Sequence, residues 1–508
     1  NAAALAFNRS DTITIANAIS GTGGALTQAG SGTTILTGAN AYTGITTISA
    51  GTLQIGDGGT TGSLGTGAVT NNGNLTFDRS NALAVANNIS GTGNLTQAGS
   101  GTTTLSGTNA YTGTTTITGG TLSISSEARL GSDPGAFNAG QLTLDGGTLA
   151  PSASFTINDA NRGITIGSNG GTFNTGTNTL TLSSIIAGTG ELTKSGSGIL
   201  VVNGSSANTH SGNIAITAGT LRVDKTVANG AFGDTAAVSI SSGATLSFNS
   251  GQSETIGSLV GAGTVDNTNA TAMTLTTGNS TNTVFSGVLQ DTSGNLSLTK
   301  AGSGTFTLSG ANTYAGTTTI SAGTLQIGDA GTTGTLGTGA VTNNANLVFN
   351  RTDALAVSNN ISGSGNVTQT GSGSTPLAGT NSYSGATTVN AGTLIASGSS
   401  SLGDGAGAAT VNAGSLSLAG GTTITKSGLL SLAGTGTSAT VGALHAGGGT
   451  GTTSAWKGNI SLAANATITA ADNLLILGEG STFTNTITLG ANTLTFHTPN
   501  AATVTPTY

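Results

Sequence analysis

Residues 99–124 read GSGTTTLSGTNAYTGTTTITGGTLSI. Three marks stand in fixed order: Gly99-Ser100-Gly101, then Asn109-Ala110-Tyr111-Thr112-Gly113, then Gly120-Thr121-Leu122. The same order returns from Gly30 (Asn40-Ala41-Tyr42-Thr43-Gly44), from Gly302 (Asn312-Thr313-Tyr314-Ala315-Gly316) and from Gly371 (Asn381-Ser382-Tyr383-Ser384-Gly385). A worn copy starts at Gly196 and carries Asn208-Thr209-His210-Ser211-Gly212. Repetition on this scale marks a chain built by stacking similar units rather than by closing one globular core.

The spacing sets the size of the unit. The interval from Gly30 to Gly99 equals that from Gly302 to Gly371, and the stretch 30–93 laid on 302–365 is identical at 49 of 64 positions. Such a unit is too long for one turn of a solenoid and divides into roughly three coils of about 23 residues. The intervals from Gly99 to Gly196 and from Gly196 to Gly302 are longer and leave room for about one more coil each.

Inside each unit the apolar residues alternate. Leu53-Gln54-Ile55, Leu75-Thr76-Phe77, Leu122-Ser123-Ile124, Leu142-Thr143-Leu144, Leu221-Arg222-Val223 and Leu325-Gln326-Ile327 are examples. Alternation at period two sends apolar groups to one face of a strand and polar ones to the other. Gly, Asn and Ser punctuate the triplets as turns require. Strands this short are not stable alone. Stacked coil on coil they form an all-β, right-handed parallel β-helix (β-solenoid) of about 22 coils, with no substantial helix. The expected units are approximately 1–20 (partial), 21–90, 91–187, 188–293, 294–362, 363–423 and a degenerate 424–508, all in one continuous solenoid 1–508. Leu5-Ala6-Phe7-Asn8-Arg9-Ser10 parallels Leu75–Ser80, so the chain is expected to open part-way through a repeat. The paired asparagines Asn71-Asn72, Asn87-Asn88, Asn343-Asn344 and Asn359-Asn360 recur with the unit and read as turn residues that tolerate the left-handed conformation.

Composition removes several functions. Charged residues are 6% and aromatics 4%, against about 25% charged in an ordinary soluble domain. The 11 basic residues are scattered, whereas a phosphate-binding face needs them clustered, so no nucleic-acid partner is expected. There is no cysteine, which excludes disulfides, thiolate metal sites and a cysteine nucleophile and suits export in an unfolded state. No apolar run is long enough for a spanning helix.

The marks at 99–124 and 302–328 resemble the passenger-associated transport repeat, also called the autotransporter-associated β-strand repeat. The resemblance implies a β-helical passenger exported to the surface of a Gram-negative bacterium, often adhesive, with an outer-membrane translocator barrel in the precursor. No such barrel is read after Trp456.

Chemistry is sparse. His210 stands where Tyr42, Tyr111, Tyr314 and Tyr383 stand, and Trp456 takes that place in a sixth, degenerate copy. His445 and His497 have no carboxylates grouped with them, so no catalytic residue, metal ligand or cofactor site is assigned. The tyrosines, with His210 and Trp456, read either as packing at a corner of each unit or as a contact surface repeated at one azimuth. Arg9, Arg79 and Arg351 recur beside Asp11, Asp78 and Asp353. They read either as local ion pairs or as lateral contacts between molecules. The leading reading is a non-enzymatic extracellular stalk or adhesin, with a host or matrix glycan or protein as partner. A fibre or matrix subunit associating end to end or laterally is second, and a β-helix enzyme acting on polysaccharide is third.

Overall fold

The computed structural model describes residues 3–447, 452–471, 474–478, 486–497 and 504–506. Alternation becomes strand burial in the expected way. In Thr52–Ile55, Leu53 and Ile55 are fully buried while Thr52 and Gln54 reach solvent. Leu53 lies over Leu75 and Leu75 over Leu95, in parallel register, so like packs on like from coil to coil. Every strand pairing among the described residues is parallel, apart from an isolated antiparallel bridge between Ser438 and Val441. One 3-10 turn, Glu127–Leu130, is the helical element among the described residues.

The chain forms two compact units, residues 1–257 and 258–508. In the first, three ladders run side by side. One contains Ala25–Gln28, Thr46–Ile48, Val69–Asn71, Ile89–Gly91 and Ala110–Tyr111. The next contains Thr33–Leu36, Thr52–Ile55, Asn74–Phe77, Asn94–Gln97 and Thr115–Ile117, and continues to Ile186–Gly188. The third contains Leu83–Val85, Thr102–Leu105, Thr121–Ile124 and Thr148–Pro151. The chain visits the three faces in turn, and the core lies between them. The second unit repeats the plan. One ladder runs through Met273–Thr277, Leu296–Lys300, Thr318–Ile320, Val341–Asn343 and Ile361–Ser362, and another through Thr305–Leu308, Thr324–Gly331, Asn346–Arg351 and Asn366–Gln369.

The coil is shorter than expected through the repeat that opens at Gly30. Register steps there are mostly 20 to 22, as in Leu53–Leu75–Leu95–Thr115. From Gly30 to Gly99 the chain therefore passes ten face segments, nine strands and the irregular 63–66, which is three and a third coils. Each repeat starts one face further round than the last. Thr33–Leu36 lies on the second face, while its equivalent in the next repeat, Thr102–Leu105, lies on the third. The repeat is longer than a whole number of coils because corners differ in length, and the corner residues set the coil.

Candidate functional site

The residues that recur are the candidate site, and the structure accounts for them one by one. The asparagine of the Asn-x-Tyr-x-Gly mark joins three coils. Asn40, Asn109, Asn208, Asn312 and Asn381 each accept, at Oδ1, the backbone N–H of a residue in the preceding coil: Ile19, Ile89, Ile186, Leu289 and Ile361. Each donates from Nδ2 to a carbonyl in the following coil: Ser63, Arg129, Ala231, Thr335 and Ser401. A short amide with both a donor and an acceptor is the side chain that can bridge in both directions. The closing glycine of the mark sits on the carbonyl of the coil beneath; a methyl at Gly113 would overlap Gly93 O, so no other residue fits.

Tyr42, Tyr111, Tyr314 and Tyr383 are at most 1% exposed. Each hydroxyl lies 2.6–2.8 Å from the Oγ1 of a buried threonine one strand-length on: Thr46, Thr115, Thr318 and Thr387. Burial pushes the Tyr111 phenol up to about 12 and raises the other three as well. The rings point into the core, and within the first unit Tyr42 and Tyr111 stand on different faces. Tyr111 stacks on Gly91 of the first face, whereas Tyr42 stacks on Gly21 in the column that continues to Thr66. His210 sits on Ile186–Gly188, at the end of the second-face ladder. Tyr42 and Tyr111 fall on different faces because the repeat is not a whole number of coils.

His210 is 2% exposed and its Nε2 lies 2.8 Å from Gly190 O; burial lowers its pKa. Trp456 is fully buried between Ile424 and Leu477 in a parallel ladder. His445 is buried, with Nδ1 2.7 Å from Thr469 Oγ1, and burial lowers its pKa too. His497 is exposed. Among the described residues no three His, Cys, Asp or Glu side chains gather as metal ligands.

Arg79 and Arg351 hold loops of their own chain. Arg79 donates to Gly62 O, Thr60 O and Asn81 Oδ1, and is not paired with Asp78. Arg351 does the same with Gly334 O and Thr332 O, and pairs with Asp353 at 2.7 Å. Arg9 pairs with Asp11 at 2.6 Å in the open. The paired asparagines also differ from expectation. None has a positive φ; among the described residues other than glycine only Asn229 and Ala330 do. They bridge coils through side chains instead: Asn71 Nδ2 to Asn94 O, Asn87 Nδ2 to Gly65 O and Gly67 O, and Asn72 Oδ1 from the Thr92 N–H.

Two further features escaped the sequence reading. Two residues before the Gly-Ser-Gly that opens each of the five repeats stands a buried Gln or Lys: Gln28, Gln97, Lys194, Lys300 and Gln369. Each donates to the carbonyl of the first glycine of that corner. The signal was there, a long side chain ending in N–H at one repeat position. Arg162 is fully buried and donates to Glu127, Asp133 and the carbonyls of Leu130, Gly131 and Ser132, pinning the insertion that holds the 3-10 turn. It lies outside the repeat, so no period betrays it. Burial also pushes the Glu254 carboxyl up to about 7, where it accepts the Ala231 and Phe232 N–H groups.

Fold and motif together define a repeat solenoid whose recurring side chains are consumed in stacking one coil on the next. The family model described as the passenger-associated transport repeat matches at residues 26–55, 95–124, 192–223, 298–327 and 367–396. The chain is also 33% identical over 221 residues to the adhesin BmaC autotransporter of Brucella suis biovar 1 (strain 1330), a match covering 42% of this chain and 6% of that relative. The chain thus spans a small part of the length of the curated relative it matches. No solved structure matches. The chain carries five passenger-associated transport repeats, and these matches support an autotransporter passenger exposed at the surface of a Gram-negative bacterium.

Proposed function

We propose that this passenger is an adhesive, non-catalytic segment that holds a contact surface away from the cell. The observation that carries the reading is the division of labour in the repeat. The Asn, Tyr, Gly and Gln or Lys positions all point inward or between coils, so adhesion falls to the outward positions, which are free to vary. The relative's designation as an adhesin supports it. The buried Tyr, His210 and Trp456 serve packing in this reading, and Arg79 and Arg351 brace loops rather than neighbouring molecules. The family implies an outer-membrane translocator in the full-length protein. A host or matrix glycan or protein is the partner.

The test is display of residues 1–508 on a heterologous translocator in a non-adherent Gram-negative host. Retention on cultured epithelial cells and on matrix-coated surfaces should exceed that of the translocator alone. Equal retention on every surface would remove the adhesive reading.

A further inference from the structure

Outward threonines stand in line where the strands stack. On the third face of the first unit Thr102, Thr121, Thr148, Thr172 and Thr193 are register partners on successive rungs. In the second unit Thr276, Thr299, Thr319 and Thr342 follow one another in the same way, and Ser362 ends the row. All of these threonines are half-buried, flanked by their neighbours in the row. Among the described residues none of their hydroxyls has a protein partner. A second polar row runs two residues further on or back. In the first unit Thr104 pairs with Ser123, and Asn174 with Ser195. In the second Thr274 pairs with Ser297, and the Thr317 N–H donates to Ser297 Oγ.

The backbone fixes the spacing of these groups. Successive rungs lie about 4.8 Å apart, and outward positions two residues apart on one strand lie about 6.6 Å apart. A β-branched side chain has few rotamers, and threonine stacked on threonine across strands holds its neighbour in place. Each strip is therefore a rectangular net of methyls and hydroxyls set before anything binds. The strips are also free of charge on their outer side. The charged side chains within these strands, Lys194 and Lys300, are buried. Glu191 stands exposed at the rim, beside the last rung of the first row.

We propose that these two threonine strips bind the surface of ice. The features of the strips set aside other ligands. A nucleic acid needs clustered cations. An added strand needs a free edge, whereas Thr121–Ile124 and Leu296–Lys300 are paired on both sides. A sugar chain wants an aromatic platform, and Phe173, the ring in the first strip's strands, is fully buried. What fits is a flat, extended, uncharged partner that repeats at the period of the rungs. The prism face of hexagonal ice is such a partner, a rectangular net of water oxygens with spacings close to those of the strip. Water seated among rigid methyls and hydroxyls is already ordered, so joining the lattice forfeits little further freedom. Each rung contributes weakly, and rungs in register act together. The proposal stands apart from adhesion to cells or matrix, because it concerns the threonine strips alone.

The experiment grows ice slowly on a cooled probe from a solution of the fluorescein-labelled full chain. A labelled control protein of like mass is excluded by the growing crystal. The full chain should enter the ice at least fivefold more than the control, and crystals grown in its presence should become faceted under the microscope. Thr148→Tyr/Thr319→Tyr raises a ring in the middle of each strip. That double variant should partition like the control with an unchanged thermal midpoint, since both positions face outward. Should it melt early, Thr148→Lys/Thr319→Lys disrupts the same net with a side chain that reaches solvent, and should give the same loss. Partition of the parent no greater than the control's, or partition that survives both double variants, overturns the proposal. So does retention on microcrystalline cellulose or chitin that the same substitutions abolish, because the strips would then serve a polysaccharide lattice.

Discussion

Lys194 Nζ and Gln97 Nε2 do the same work in their own repeats: each lies 2.7 Å from the carbonyl oxygen of the first glycine of the Gly-Ser-Gly corner, Gly196 in one case and Gly99 in the other. Lys194 adds bonds to Ser195 O and Ala218 O. An ammonium and an amide are thus interchangeable at this corner as donors but not as charges.

Lys194→Gln should therefore fold, and its stability should lose a pH dependence that the parent has. Burial pushes the Lys194 ammonium down to about 8, from 10.5 in the open chain. Between about pH 8 and 10.5 the unfolded chain binds the extra proton, so this residue makes stability rise with pH across that window, with the full penalty below it and none above. Urea midpoints at about pH 7, 9 and 10.5 are the measurement. The parent should rise more steeply than the glutamine variant; parallel curves would refute the assignment.

Asn109→Ala should open a local defect rather than unfold the unit. The change strands the Ile89 N–H and the Arg129 carbonyl, a loss of about 2–4 kcal/mol for two buried groups left unpaired. Because a solenoid is stabilised by neighbours, hydrogen exchange should accelerate at Ile89 and the adjoining coils. Amides several coils away should keep their protection.

Gly113→Ala and Gly58→Ala separate crowding from backbone conformation. A methyl at Gly113 meets Gly93 O, whereas one at Gly58 meets nothing and bears only the cost of a φ of +86°. The second should lose roughly 1–2 kcal/mol, and the first should lose more. Thermal melts of the two variants decide it; equal losses would mean that contact with the coil below is not what fixes Gly113.

Tyr111→Phe and Tyr111→Ala divide the ring from its hydroxyl. Phenylalanine keeps the packing but leaves the Thr115 hydroxyl, 2.6 Å from the phenol, without its partner, for about 1–2 kcal/mol. Alanine adds a cavity and should lose about 3–5 kcal/mol in all. If both variants melted like the parent while display-based adhesion fell, the tyrosine would be a contact residue after all.

The solenoid was legible because its causes are local. Leu53-Gln54-Ile55 declares a strand with one apolar face wherever it stands, and the fixed marks declare that such strands are stacked. The phase was not legible. The interval from Gly30 to Gly99 divides as readily into whole coils as into shorter ones with a fraction left over. The choice rests on how much chain each corner takes up, as in the excursion between Gly56 and Gly62 that Arg79 closes. The asparagines were legible as important but not as bridges. A side chain that bonds into the next coil, as Asn71 and Asn72 do, looks in sequence like any turn asparagine.

The fractional repeat has a bearing on how such chains change length. Adding or deleting one copy of the kind that runs from Gly30 to Gly99 does not merely move the coils stacked beyond it along the axis. It also turns those coils by a third of a circle, so a loop that faced one way faces another. Three copies restore the heading. Recombination between near-identical repeats is thus a rotary dial: a lineage can re-aim an existing contact surface in three fixed clicks without altering a single residue in it.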